Sequence, residues 1–253
     1  MNALSYNSWI RCFNPRPQAR LRLLCIPYAG GGAAVFRMWG RALPQTIEVC
    51  SIQPPGRENR LTETPFMRIE PLVAELVHIL RPMLDMPFAL FGHSMGALIA
   101  FELARQLRRE DLPAPVHLLV SGHRAPQLPP LHTPTFALPE PAFIGELRRL
   151  SGTPEAVLNE PELMALIIPL LRADFAVCET YTYADDEPLA IPISAFAGTD
   201  DAEVSPEHIL PWQIQTRERF NFKLFPGDHF YLNSDPQALL QTIEQELRPY
   251  YFS

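Results

Sequence analysis

Ser94 is the residue around which chemistry can be built. It stands between Gly92 and Gly96 in Phe91-Gly92-His93-Ser94-Met95-Gly96. An apolar run over 88–91 leads into it, and a helical pattern starts directly after it. A G-x-S-x-G pentapeptide between strand and helix is a nucleophile elbow, a tight turn that holds the serine in a strained backbone conformation with its hydroxyl exposed. Residues two before and two after must lack bulk, and both are glycine. A serine hydroxyl is a weak nucleophile near neutral pH. It needs a base to take its proton and a third group to orient that base.

Seven histidines compete for the role of base. His93 adjoins Ser94, so its side chain diverges from the serine's. His78 belongs to a helical pattern and His117 to a strand pattern. His123 and His132 precede any acid candidate. His208 follows Asp201 by seven residues with no strand between them. His229 comes just after the last strand pattern, in Gly227-Asp228-His229, and is assigned as general base. For the acid, Asp200 and Asp201 both end a strand pattern in the right place, and spacing does not choose between them. Asp174, Asp185 and Asp186 read as solvated residues of a helical stretch. Asp228 reads as part of the turn beside the histidine.

Strand patterns at 21–27, 47–53, 88–91, 116–121, 191–197 and 220–225 alternate with helical patterns at 69–84 and 95–109 and from 234 to 247. Ser205-Pro206 opens a further helix, with serine as cap and proline at its first position. This order predicts an α/β fold of the α/β-hydrolase type, a mostly parallel central sheet flanked by helices. The glycine-rich Tyr28-Ala29-Gly30-Gly31-Gly32 follows the first strand without G-K-[S/T] or G-x-G-x-x-G, which sets a phosphate cradle aside. In α/β-hydrolases one oxyanion-hole N–H comes from such a loop and the other from the residue after the nucleophile. These donors are Ala29 and Met95. Pro54-Pro55-Gly56-Arg57-Glu58 reads as a turn whose Arg57 and Glu58 cap and solvate it.

No strand alternation appears over 125–188. Six prolines crowd 126–141, then helical patterns run over 142–150, 161–171 and 172–183. The stretch is long for a crossover. It reads as a helical lid (125–188) inserted into a core made of 1–124 and 189–253. Leu163, Leu166, Ile167, Leu170 and Phe175 suit an acyl-chain pocket, and Phe175 is the substrate-binding candidate.

Among 253 residues, 47% are hydrophobic and 19% charged, which suits a globular core. The net charge of −7 argues against a duplex nucleic-acid surface. No apolar run approaches the roughly 20 residues of a membrane span. Residues 1–13 carry no signal-peptide h-region, so a cytoplasmic location is expected. Cys12, Cys25, Cys50 and Cys178 are scattered and read as reduced thiols. Their spacing predicts neither a disulfide framework nor a zinc site. Residues 1–20 read as irregular. Arg11, Arg16, Arg20 and Arg22 come with no acidic residue among them, as a solvated tail or as a basic patch for an acidic partner.

Five segments occur in fixed order within 21–247: Pro27-Tyr28-Ala29-Gly30-Gly31, Pro55-Gly56-Arg57-Glu58, Gly92-His93-Ser94-Met95-Gly96, Leu171-Arg172-Ala173-Asp174-Phe175 and Gly227-Asp228-His229-Phe230. Together they resemble the type II (external, editing) thioesterases of non-ribosomal peptide and polyketide synthesis. Gly32 departs from the serine of many relatives, with little expected effect. The resemblance implies a Ser94, Asp201, His229 triad. Asp201 is selected by the family pattern G-x-x-D followed three residues later by valine, here Gly198 and Val204. The resemblance also implies hydrolysis of acyl groups from the phosphopantetheine thiol of acyl or peptidyl carrier proteins, which clears misprimed or stalled intermediates. No cofactor is implied, because phosphopantetheine arrives on the carrier. A monomer is expected. Carrier proteins are usually acidic, so docking calls for a local basic patch, drawn from Arg11, Arg16, Arg20 and Arg22 or from Arg148 and Arg149. A carboxylesterase or lipase would share the triad and lid. A non-catalytic hydrolase-fold binding protein would not need Ser94, Asp201 and His229 intact.

Overall fold

The computed structural model describes residues 7–252. Its strands are β1 (Ile10–Arg11), β2 (Leu21–Ile26), β3 (Ile47–Ile52), β4 (Phe88–His93), β5 (His117–Ser121), β6 (Ile193–Gly198) and β7 (Phe220–Phe225). They form one sheet in the order β1-β3-β2-β4-β5-β6-β7, parallel except for β1. Every residue of β2 through β6 is buried. A parallel sheet needs helices on both faces, and the strands are accordingly mostly apolar rather than alternating, with buried polar residues such as Arg22, Glu48 and His117 among them. The helices are α1 (Trp39–Ala42), α2 (Ile69–Leu80), α3 (Met95–Arg109), α4 (Glu140–Leu150), α5 (Glu155–Leu158), α6 (Pro161–Glu179), α7 (Pro206–Ile209), α8 (Tyr231–Ser234) and α9 (Pro236–Leu247).

Successive residues of β2 divide between two cores. Leu24 and Ile26 pack with α2 and α3, while Leu21, Leu23 and Cys25 pack with Phe36, Trp39 and α9. Between β5 and β6, helices α4, α5 and α6 build a third apolar cluster of their own around Phe143, Leu147, Ile168 and Leu171. Among the described residues no helix is long and apolar enough to cross a membrane.

The structure departs from the sequence reading at several places. Part of the supposed irregular N-terminus is β1, where Ile10 pairs with Ile52; two residues are too few to carry an alternation, and residues 1–6 of that segment lie outside the described residues. The helix read over 69–84 stops at Leu80 and tightens into a 3₁₀ turn, Arg81–Met83, that contains Pro82. Helix α5 has four residues, below the length at which periodicity shows. The patterns at 161–171 and 172–183 are one helix, α6, which runs through Pro169. Proline removes one helical hydrogen bond, but Leu170, Leu171, Asp174 and Val177 beyond it are all buried and hold the helix on course.

Parallel strands place their C-terminal ends on one edge of the sheet. The segments after β2, β4, β6 and β7 therefore converge there, and they carry Ala29, Ser94, Asp201 and His229.

Candidate active site

Ser94 has φ 53° and ψ −119°, off the regions that serine prefers. Its N–H donates to Ser121 O at 2.8 Å, which pins the elbow to β5. A Cβ on Gly92 would lie 2.0 Å from Gly96 O, and one on Gly96 would lie 2.1 Å from Ile26 O. Neither contact can be relieved by a side-chain rotation, because both meet backbone. Met95 opens α3, so its N–H is a first-turn donor that no intrahelical carbonyl reaches.

His229 Nδ1–H donates to Asp201 Oδ2 at 2.8 Å. That bond fixes the tautomer and leaves Nε2 as the ring's acceptor. Asp201 Oδ1 in turn accepts the N–H groups of Glu203 (2.9 Å) and Val204 (3.1 Å), and the carboxylate is fully buried. Asp200 is exposed and accepts from Thr199 Oγ1. The loop after β6 lies tightly on the loop after β7: a Cβ on Gly198 would come 2.3 Å from Asp228 O.

The loop after β2 is held by a network that joins it to α6. Gly30 N–H donates to Asp174 Oδ2 at 2.7 Å, and Gly31 N–H to Tyr28 O at 2.9 Å. Arg57 clamps Asp174 in a two-pronged ion pair at 2.7 and 2.8 Å and donates to Gly31 O at 2.9 Å. Gln53 completes the set, accepting Ala33 N–H at 2.6 Å and donating to Arg57 O at 3.0 Å. The side chains of Arg57 and Asp174 are each 4% exposed. Both were read as solvated, and both are buried supports of the loop that carries Ala29. The available signal was that each belongs to a segment that carries the resemblance. Glu58 does cap, accepting Ala34 N–H from the surface.

Ser94 and His229 share the wall of a cavity of about 260 Å³, with Tyr28 and Ala29 beside them. Leu171, Phe175 and Cys178, on one face of α6, line it together with Leu147 and Leu150 of α4. Phe175 stacks edge-on against Phe143 at 5.4 Å. Leu163 and Leu166 do not reach the cavity; they are 43% and 58% exposed. Leu170 packs beside Gly56 instead.

A thioesterase-domain family model matches residues 21–247. The chain belongs to the thioesterase family. It is 46% identical over 242 residues to the gramicidin S biosynthesis protein GrsT of Aneurinibacillus migulanus, covering 96% of this chain and 94% of that one. Among solved structures, the RedJ thioesterase from the prodiginine pathway of Streptomyces coelicolor superposes with a TM-score of 0.86 at 38% identity, over 92% of this chain and 88% of the other. The type II thioesterase BorB from the borrelidin cluster gives 0.85 at 38% identity, over 94% and 97%. The thioesterase is therefore a serine hydrolase of the α/β-hydrolase fold.

Of the arginines read as a basic patch in the thioesterase, Arg16 and Arg22 are unavailable. Arg16 is buried and donates to the carbonyls of Gly40, Leu43, Pro44 and Ile47. Arg22 is buried against Glu48 and Asp85. Arg148 and Arg149 are exposed but neutralised, by Glu155 and by Glu146 and Glu203.

His93 packs behind His229, the two rings 5.1 Å apart, and its Nδ1 lies 2.8 Å from Ser121 Oγ. Burial pushes its pKa well below 6.5. Burial also lowers His117 to about 3 and His123 to about 4. These groups stay neutral when folded and protonate near 6.5 when unfolded, so the unfolded state binds more protons between those values. The stability they contribute is complete above about pH 6.5 and is lost as pH falls toward 4, by up to about 1.4 kcal/mol per pH unit for each histidine. Thermal melts of the thioesterase are expected to be flat from pH 7 to 8 and to drop steeply below pH 6. A midpoint unchanged from pH 7 to 4.5 would contradict the buried neutral histidines.

Proposed function

We propose that the thioesterase hydrolyses acyl groups from the phosphopantetheine thiol of acyl and peptidyl carrier proteins, editing misprimed or stalled intermediates of natural-product assembly lines. The observation that carries this reading is the single cavity whose wall holds Ser94 and His229 under the apolar face of α6. In this mechanism Ser94 Oγ attacks the thioester carbonyl while His229 Nε2 takes its proton, with Asp201 holding the imidazolium. The N–H groups of Met95 and Ala29 bind the oxyanion. The pantetheine thiol leaves with the proton from His229. Water, activated by the same imidazole, then attacks the acyl-enzyme and releases the acid. Phe175 packs the acyl chain, and residues 125–188 act as the lid. The enzyme works as a cytoplasmic monomer and needs no cofactor beyond the arm its substrate brings.

The test is mass spectrometry of a panel of acyl-carrier proteins before and after incubation, beside hydrolysis of p-nitrophenyl esters. Loss of acyl groups from carriers at a kcat/KM well above that for free esters is expected, as is labelling of Ser94 by a fluorophosphonate. Equal or better turnover of the free esters would make the protein a general esterase. Absence of both labelling and turnover would leave a binding protein.

A further inference from the structure

Charge is segregated along this chain. The first 57 residues hold seven arginines and one acidic residue, Glu48; the remaining residues hold fourteen basic and twenty-seven acidic ones. The fold uses up part of the basic excess. Arg16, Arg22 and Arg57 are buried on carbonyls and carboxylates, and Glu48 is buried with Arg22. Arg11, Arg20, Arg37 and Arg41 are left exposed, and none of them makes an ion pair among the described residues. The N-terminal stretch that carries Arg11 and Arg20 runs along the segment that carries Arg37 and Arg41, tied to it by Phe13, Asn14 and Arg16. Arg11 is on edge strand β1, and Arg20 leads into β2, its N–H bonded to Thr46 O. Arg37 and Arg41 flank Gly40, whose carbonyl is held by Arg16 and whose Cα faces Asn14. The Arg37 guanidinium lies 5.7 Å from the Phe13 ring, which ties α1 to the N-terminal segment.

Arg37 and Arg41 are four residues apart in consecutive helical turns, a like-charge spacing that is unfavourable in isolation. Between them Met38 is 58% exposed. Glu58 is the acidic side chain that touches this segment, and it is engaged with Ala34 N–H at the segment's head. The segment also begins at the cavity: Tyr28 and Ala29 line it, and the chain passes directly from them through Ala33–Phe36 to Arg37. The result, on a protein that is otherwise strongly acidic, is a basic border around Met38 that leads from the oxyanion-loop side of the cavity, at Arg37, to the opposite edge of the sheet, where Arg20 precedes β2.

We propose that Arg11, Arg20, Arg37 and Arg41, around Met38, form the docking face for an acidic surface of the carrier protein that delivers the thioester. This rests on the carrier-thioesterase reading above and assigns it a surface. The acidic remainder of the molecule repels such a partner, so the basic face orients the encounter as well as attracting it.

The experiment compares wild type with the fourfold variant Arg11→Glu, Arg20→Glu, Arg37→Glu, Arg41→Glu and with a control, Arg217→Glu, Arg248→Glu, whose arginines are also exposed. Each is assayed on an acyl-carrier protein and on the same acyl group as an N-acetylcysteamine thioester. Binding of a non-hydrolysable thioether analogue of the acyl-carrier is measured by calorimetry. The fourfold variant is expected to lose tenfold or more in kcat/KM on the carrier, through KM, and to bind the analogue correspondingly more weakly. Its turnover of the small thioester and the control's behaviour stay near wild type. In wild type, KM for the carrier but not for the small thioester rises with salt. An analogue Kd equal in wild type and fourfold variant, or a carrier KM insensitive to salt, overturns the docking face; so does an equal loss in the control. Wild type that binds the analogue through these arginines yet hydrolyses no carrier thioester overturns the proposed function and leaves the docking face standing. A second copy of this chain as the occupant would appear as salt-sensitive self-association abolished in the fourfold variant with carrier binding unchanged, which also overturns the proposal.

Discussion

Asp201→Asn lowers kcat on an acyl thioester about 10⁴-fold, while Asp200→Asn stays within about twofold of wild type. The difference follows from how the two neighbours are held. Asp201 Oδ1 accepts the N–H groups of Glu203 and Val204, so the oxygen of an asparagine there stays on those donors. Its NH₂ must then face His229 Nδ1, where Oδ2 accepted a proton before. Two donors cannot share that bond. The imidazole moves its proton to Nε2, and the base that Ser94 needs is lost without any change in packing. Asp200 touches Thr199 at the surface and has no such leverage. Single-turnover kinetics of the two purified variants, with melts to show that both are folded, checks this. A comparable loss in Asp200→Asn, or a small one in Asp201→Asn, would remove Asp201 from the role proposed for it.

The second large effect concerns Arg57 and Asp174. Arg57→Met or Asp174→Leu alone leaves a buried charge without its partner, and each is expected to cost about 3–5 kcal/mol of stability. Replacing both at once removes the orphaned charge, and buried pairs replaced by apolar side chains are often near neutral. The double variant is therefore expected to recover most of the stability. It does not recover activity. Gly30 N–H has lost its acceptor at Asp174, and Gly31 O its donor at Arg57, so Ala29 is no longer presented at a fixed place. The loss of one oxyanion donor, the role proposed for Ala29, is worth about 10²–10³ in kcat. Denaturant melts and kcat of the three variants separate the two effects. Wild-type kcat in the double variant would mean that the loop keeps its shape without the pair.

These residues mark where sequence stops being informative. The elbow was legible because its signal is local: glycines two residues either side of Ser94 between a strand and a helix. His229 was legible from its place after the last strand. Arg57 and Asp174 are 117 residues apart, and nothing in either neighbourhood says that the other will neutralise it. Arg16 reads as a solvated arginine because its partners are backbone carbonyls, which every sequence has. Helix α6 is apolar nearly all round, so its pattern named Leu163 and Leu166 alongside Phe175; packing against α3 and α4 and the Asp174 contacts decided which face turned inward. Asp200 and Asp201 were equivalent by spacing because adjacent residues point in different directions, and the turn that aims them is set by contact with the loop after β7.

The strand order has a consequence for the folding pathway. Ala29, Ser94, Asp201 and His229 sit on segments that meet only once β2, β4, β5, β6 and β7 lie side by side, and each of those pairings is parallel. Parallel neighbours close long loops before they gain contacts, and β5 finds β6 only across the whole helical insertion. Helical signal on refolding should therefore return early, and hydrolysis last. A chain stopped short of the final ladder would be largely helical, sticky along an open sheet edge, and catalytically silent.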